Sequence, residues 1–367
     1  MLELIPSGLH IDFMGKAKFF LVLSLLVILV GTGSILLRGG LNLGIDFQGG
    51  TQLQLRFSQP VQLRLVRDVL GSLGFGQAVV QHFGNEREVL IRVSQLPSAG
   101  QDIATPVQQA FHARFPDQRV ELRRTEVVGP QASETLRRQA LFAMFYAIVG
   151  ILIYVSGRFE AKWFIALALG IVLFAMAFSL NQWLPMVSPT VLIIMALVVT
   201  FAFCWVLDLS YAFSAIIPLI HDVLVTVGLL SLFNKEFNLP IAAALLTIIG
   251  YSTNDTIVIF DRIRENMQSQ RRDDFARVVN ASINQTLGRT ILTSATVLMV
   301  VLALFFFGGE VIHDFAFALL VGVIAGVYST VFIASPILIS WHAYVRRHRA
   351  RRALTGTHPQ GAILELD

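Results

Sequence analysis

The chain has 367 residues, of which 55% are hydrophobic and only 14% charged, with a mean hydropathy of +0.68 and a formal net charge of +4. Soluble domains carry about a quarter charged residues, so an ordinary soluble enzyme and a disordered chain are excluded. The single cysteine, Cys204, excludes a disulfide scaffold. What remains is a polytopic α-helical membrane protein with one water-soluble insert. Residues 38–138 carry a normal load of charge, while 290–307 and 315–341 contain no Lys, Arg or Glu.

A bilayer span needs roughly 20 apolar residues. Eight windows qualify: 18–37, 139–156, 163–181, 189–207, 211–233, 240–260, 290–308 and 315–341. The first follows Lys16 and Lys18 and is too long for a signal-peptide core, so it reads as an uncleaved anchor. Between the first two windows, 51–57 alternates as a strand and 60–73 has a helical period after Pro60. Strands are predicted at 77–83 and 87–93 around a Gly84-Asn85 turn, a helix at 102–114 before Pro116, and a last strand at 118–128. That order predicts a ferredoxin-like α+β domain, with no metal, nucleophile or phosphate-loop signature.

Basic residues set the orientation. If the N-terminus is cytoplasmic, Lys16, Lys18, Arg158, Lys162, Arg262, Arg264, Arg271, Arg272, Arg277 and the Arg346–Arg352 cluster all fall inside, and the short outer loops hold only Lys235. Arg137 and Arg138 adjoin the exported domain, where the charge rule is weak. The expected layout is a cytoplasmic N-terminus (1–17), a first span (18–37), a periplasmic domain (38–138), a membrane bundle (139–341) and a basic cytoplasmic tail (342–367).

Charged groups inside spans cost about 2.5–3.5 kcal/mol each on insertion scales. Asp255 is the clearest case, in ALLTIIGYSTNDTIVIFDR. Thr247, Tyr251, Asn254, Asp255 and Thr256 recur on one side of that predicted helix. A proton- or ion-handling site and a hydrogen-bonded packing seam both account for such a face. In GRTILTSATVLMV, Arg289, Thr293 and Thr296 share a face in the same half of the bilayer. Arg289 is either a partner for Asp255 or an anchor that snorkels to the interface. His221 and Asp222 lie near the middle of the fifth window; neighbours on a helix are predicted to point apart, each needing its own partner, and packing and transport are equally open. His313-Asp314 reads as a cap for the last span, and Gly322-x-x-x-Gly326 with Ser329 as close helix packing. No His/Asp pair has metal-site spacing, and no cofactor is expected.

Several segments resemble the SecF family of the bacterial SecDF export complex, relatives of the RND transporters: AALLTIIGYSTNDTIVIFDRIREN (243–266), LNLGIDFQGGT (41–51), VVGPQASETL (127–136), GRFE (157–160), INQTLGRTILTS (283–294) and IASPILI (333–339). The resemblance implies an RND-like helix bundle in the bacterial inner membrane and a proton-driven, non-enzymatic aid to late, outer-side export. It implies SecD and the SecYEG translocon as partners, with YajC and YidC as further candidates, and contact with exported unfolded polypeptide and membrane lipids but not nucleic acid. It carries proton-relay roles onto Asp255, Arg289 and Thr293, with part of the path supplied by SecD. Tyr251, Asn254, Thr247, Thr296, His221 and Asp222 are supporting polar positions. The chain departs from the usual six-span pattern at 161–210, where an added two-helix hairpin around Asn181–Pro189 is expected. A scaffold without proton movement and an RND-type small-molecule transporter are the alternatives; an intramembrane aspartyl protease lacks its motif.

Overall fold

The structure, a computed structural model, describes residues 10–94, 103–183, 189–269 and 274–354. In chain order the elements are α1 (Phe13–Leu37), α2 (Ile45–Gln48), β1 (Gly50–Phe57), α3 (Leu63–Ser72), β2 (Val79–Phe83), β3 (Asn85–Val93), α4 (Ala104–Arg114) and β4 (Val120–Val128). There follow α5 (Pro130–Glu160), α6 (Trp163–Trp183), α7 (Pro189–Val206), α8 (Ser210–Leu232), α9 (Leu239–Ser269), α10 (Phe275–Phe307) and α11 (Gly309–Ser329). A π-helical turn, Thr330–Ala334, joins α11 to α12 (Ser335–Leu354). Arg271, Arg272, residues 184–188 and the ends 1–9 and 355–367 lie outside the described residues.

The four strands form an antiparallel sheet in the order β2-β3-β1-β4. Alternation in β1 turns Leu53, Leu55 and Phe57 into a core shared with Val66, Leu70, Val107 and Phe111 of α3 and α4. Gln52 and Gln54 point to the other face. α3 starts at Leu63, later than predicted, because Val61 N–H donates to Glu86 O at 3.0 Å and the N-cap Gln62 is extended. The turn between β2 and β3 rests on Gly84 at φ +77°, a conformation costly to residues with a Cβ.

Among the described residues, six helical segments are long and apolar enough to cross a membrane: Phe13–Leu37, Pro130–Glu160, Ser210–Leu232, Leu239–Ser269, Phe275–Phe307 and Ile312–His348. Several run well past the apolar windows. α5 opens at Pro130 and carries Glu134 in ion pairs with Arg137 (2.7 Å) and Arg138 (3.0 Å) before its apolar part begins. Hydropathy marks the stretch that can sit in lipid, whereas a helix ends only where its backbone does. The pair α6–α7 carries shorter apolar segments, Trp163–Met176 and Leu197–Val206. Ala166, Leu169, Leu173 and Cys204 are buried there, while Phe164, Ile171, Val198 and Val206 face outward.

A short junction ties the sheet to the α8–α9 loop. Leu43 bridges Phe237 in parallel, with Phe237 N–H donating to Asn42 O (2.7 Å) and Gly44 N–H to Phe237 O (2.9 Å). Asp46 Oδ2 accepts from Leu239 N–H at 2.9 Å, and the Phe47 and Phe237 rings lie 5.6 Å apart. Buried Arg92 of β3 donates to Leu43 O (2.7 Å) and pairs with Glu236 (3.2 Å). Burial pushes the Glu236 carboxyl above its usual range, and the Arg92 guanidinium opposes that rise.

Candidate functional site

The sequence of α9 places carboxylate and hydroxyl groups on more than one side of the helix. Asp255 is 2% exposed. Its Oδ2 accepts from Ser294 Oγ of α10 at 3.4 Å, and the same hydroxyl accepts from Tyr251 OH at 3.1 Å. Thr256 turns away from α10, its hydroxyl 3.1 Å from that of Thr330 in the π-helical turn. Thr247 and Asn254 remain exposed, the Thr247 hydroxyl satisfied by Ala243 O at 3.0 Å. The predicted single polar side is therefore divided, because residues three and four apart drift around the helix and meet different neighbours.

Arg289 is not a hydrogen-bonded partner of Asp255. It is exposed, and its guanidinium makes no hydrogen bond or ion pair among the described residues. Thr293 Oγ1 donates to Arg289 O (3.0 Å) and Thr296 Oγ1 to Thr293 O (2.8 Å), so both hydroxyls fold back on their own helix. Arg289, Thr293 and Thr296 do share a side of α10, and that side is at least partly open. Ser294, one residue beyond Thr293, is the α10 group that reaches Asp255. The segment GRTILTSAT contains it, but three-and-four spacing counted from Arg289 passes it by.

The expectation that His221 and Asp222 point apart is overturned. His221 Nδ1 lies 2.9 Å from Asp222 Oδ1. Side chains about 100° apart on a helix still meet when a ring and a carboxylate both lean across the same groove. Asp222 Oδ2 accepts from Ser252 Oγ of α9 (2.6 Å) and Ser329 Oγ of α11 (3.0 Å). His221 Nε2 lies 2.9 Å from Ser24 Oγ of α1. Ser24 also donates to Tyr328 OH (2.9 Å), which in turn donates to Phe20 O. Asp222 is 1% exposed and His221 6%.

Small residues let these helices approach closely enough for such short side chains to meet. A Cβ added at Gly31 of α1 would sit 2.6 Å from Gly228 Cα of α8, and one at Gly326 would sit 3.1 Å from Ser252 Cβ. The G-x-x-x-G reading as close packing thus agrees with the geometry, but Ser329 has a second role as a donor to Asp222. His313-Asp314 does not cap the last span. The helix opens at Gly309, and Asp314 pairs with Lys235 at 2.7 Å. In the GRFE segment, Glu160 Oε1 accepts from Tyr211 N–H at 2.8 Å, satisfying a free backbone donor at the start of α8 on the far side of α6 and α7 in the chain. Arg158 pairs with Asp261 of α9 at 3.0 Å. Among the described residues no cluster of metal-ligating side chains occurs.

A family profile described as "Protein export membrane protein SecD/SecF, C-terminal" matches residues 108–183 and 186–344, and one described as "SecD/SecF GG Motif" matches 35–61. The protein translocase subunit SecF of Calditerrivibrio nitroreducens is 39% identical over 340 residues, covering 92% of this chain and 96% of that relative. The subunit of the same name from Pseudomonas aeruginosa is 39% identical over 330 residues, covering 90% of each. The crystal structure of SecDF, a translocon-associated membrane protein from Thermus thermophilus, is similar with a TM-score of 0.67 at 32% identity. That match covers 92% of this chain and 39% of the longer SecDF chain. A long collinear likeness, containing both the GG segment and the Asp255 helix, places this chain in the SecF family of protein translocase subunits.

Proposed function

We propose that this chain is the SecF subunit of a proton-driven complex that assists polypeptide export through the Sec translocon at a late, outer-side step, with no enzymatic turnover. The observation that carries the reading is Asp255, buried in a spanning helix with a hydroxyl as its hydrogen-bond partner, beside an α10 side where Arg289 stands open. A cation left open within a span calls for another helix or a water path. A SecD subunit supplying that cover would complete a relay of Asp255, Arg289 and Thr293 at the subunit interface. A proton crossing ~150 mV releases about 3.5 kcal/mol, enough to bias the swing of a domain.

In this reading the sheet and its two helices (38–138) form a ferredoxin-like outer domain, supported by the βαββαβ order and the 2-3-1-4 strand arrangement. Both termini face the cytoplasm of an inner-membrane protein. The helices of 161–210 add a peripheral hairpin that brings the spans to eight and preserves the orientation of α8–α12. A scaffold role without proton movement is the second reading, favoured by the absence of a direct Asp255–Arg289 bond.

Proton uptake and export stimulation in proteoliposomes holding this chain, SecD and the translocon separate the two. Asp255→Asn is expected to abolish both while leaving assembly intact. Undiminished proton uptake and export in that variant would establish the scaffold.

A further inference from the structure

We infer that His221 and Asp222 form a second proton-binding site, separate from Asp255, whose occupancy is transmitted to α1 through Ser24. The inference goes beyond the proposed relay and does not require it. It rests on where each hydrogen in the buried network must lie.

Tyr328 donates to the carbonyl of Phe20, so its oxygen accepts from Ser24. The Ser24 hydrogen is thereby committed, and His221 Nε2, 2.9 Å away, must be the donor in that contact. On the other side, Asp222 Oδ2 already accepts from Ser252 and Ser329. The one position left for a further proton is between His221 Nδ1 and Asp222 Oδ1, 2.9 Å apart. With that proton present, the pair is neutral overall, either as imidazolium and carboxylate or as imidazole and acid. Without it, the Nδ1 lone pair faces a carboxylate oxygen, and a net negative charge is buried among helices.

Few other charges can set the state of this pair. Tyr328 from α11 is the titratable group in its own network, and Asp255, three residues beyond Ser252 on α9, accepts from Ser294 of α10 instead. α1 presents Ser24, α9 Ser252, α11 Ser329, and the π-helical turn Thr330. Glu160 of α5 meets α8 at Tyr211, about 15 Å along the helix from His221. Asp208, which follows α7, accepts from Trp341 of α12, so the charged residues beyond Trp341 gather at that same end.

Loss of the bridging proton turns an attraction between Nδ1 and Oδ1 into a repulsion and drives the His221 ring from its place. The ring cannot move without releasing Ser24, which binds α1 to both α8 and α11. α1 continues through residues 38–44 into the junction and β1, so its displacement is delivered to the sheet domain. A π-helical turn directly after Tyr328 and Ser329 gives α11 a local backbone irregularity of the kind found at functional sites.

The test is a pH titration of the full chain in proteoliposomes, with spin labels at Leu37→Cys and Phe233→Cys on a Cys204→Ser background. The α1–α8 distance and the carboxyl infrared band are read together. Expected is a distance change with a one-proton midpoint that Asp255→Asn leaves in place. His221→Gln and Asp222→Asn are expected to abolish the change. Ser24→Ala, which keeps both titrating groups, should retain the infrared titration and lose the distance change. A pH-invariant distance in the parent, an unchanged titration in Asp222→Asn, or loss confined to Asp255→Asn would each overturn the assignment. The last outcome would leave the Asp255 relay standing by itself.

Discussion

Ser294 Oγ on α10 lies 3.4 Å from Asp255 Oδ2 on α9 and also accepts the Tyr251 hydroxyl hydrogen. The carboxylate is thereby linked to α10 by a hydroxyl five residues beyond Arg289 rather than by the guanidinium. A hydrogen bond of this kind contributes about 1 kcal/mol, roughly fivefold in an equilibrium. Ser294→Ala is expected to reduce proton-linked export activity about fivefold, and Ser294→Thr to restore most of it. Proteoliposome proton uptake, compared with the melting temperature of each variant, checks that the effect is on the site and not on folding.

Arg92 is buried against Glu236 and Leu43 O at the junction between sheet and helices. Removing one member of a buried pair strands the other, at about 3–5 kcal/mol. Arg92→Met is expected to loosen the junction by that order, while Arg92→Met combined with Glu236→Leu costs less than the two single changes summed. Limited proteolysis within residues 38–50 and thermal unfolding report the difference.

Glu236 also predicts a pH dependence. Its folded-state carboxyl is raised, chiefly by burial, above the unfolded value. A raised folded value means that the contribution to stability is fully present below the ordinary carboxylate value of about 4.3. It is lost as pH rises through the higher folded value. The stability of the parent relative to Glu236→Gln is therefore expected to fall across that window, and melting curves at a series of pH values measure it.

Two glycines only two residues apart on α1, and so on different sides of the helix, should respond oppositely. A Cβ at Gly31 collides with Gly228, whereas nothing lies within 4 Å of one at Gly33. Gly31→Ala is expected to cost about 1–3 kcal/mol through overpacking. Gly33→Ala should be neutral or stabilising by up to about 1 kcal/mol, from helix propensity. Thermal unfolding in detergent, together with crosslinking between Ser34→Cys and Ser231→Cys, whose native hydroxyls lie 3.1 Å apart, distinguishes them.

Long apolar windows, alternating strands and turn glycines depend on residues near one another in the chain, which is why the order of elements and the identity of Asp255 were legible in the sequence. Element ends were less so: α5 and α10 extend into charged stretches that hydropathy does not score as helix. The site was legible in part. Asp255, His221 and Asp222 declare themselves as charges in apolar segments, but Ser24, Ser252, Ser294 and Ser329 carry no such mark. A serine is common in any span, and its importance arises only when another helix brings a carboxylate or imidazole against it.

The low charge of the chain by itself pointed to a membrane bundle with one soluble insert, and its few intramembrane charges stood out as candidate sites. Only the tertiary structure decided which groups meet: Asp255 with Ser294, His221 with Asp222 and Ser24, and Arg92 with Glu236. Hydrophobicity is a property of each residue type and can be read along the chain, whereas hydrogen bonding depends on distance and angle between helices far apart in sequence. Glycine contacts such as Gly31 with Gly228 set those distances.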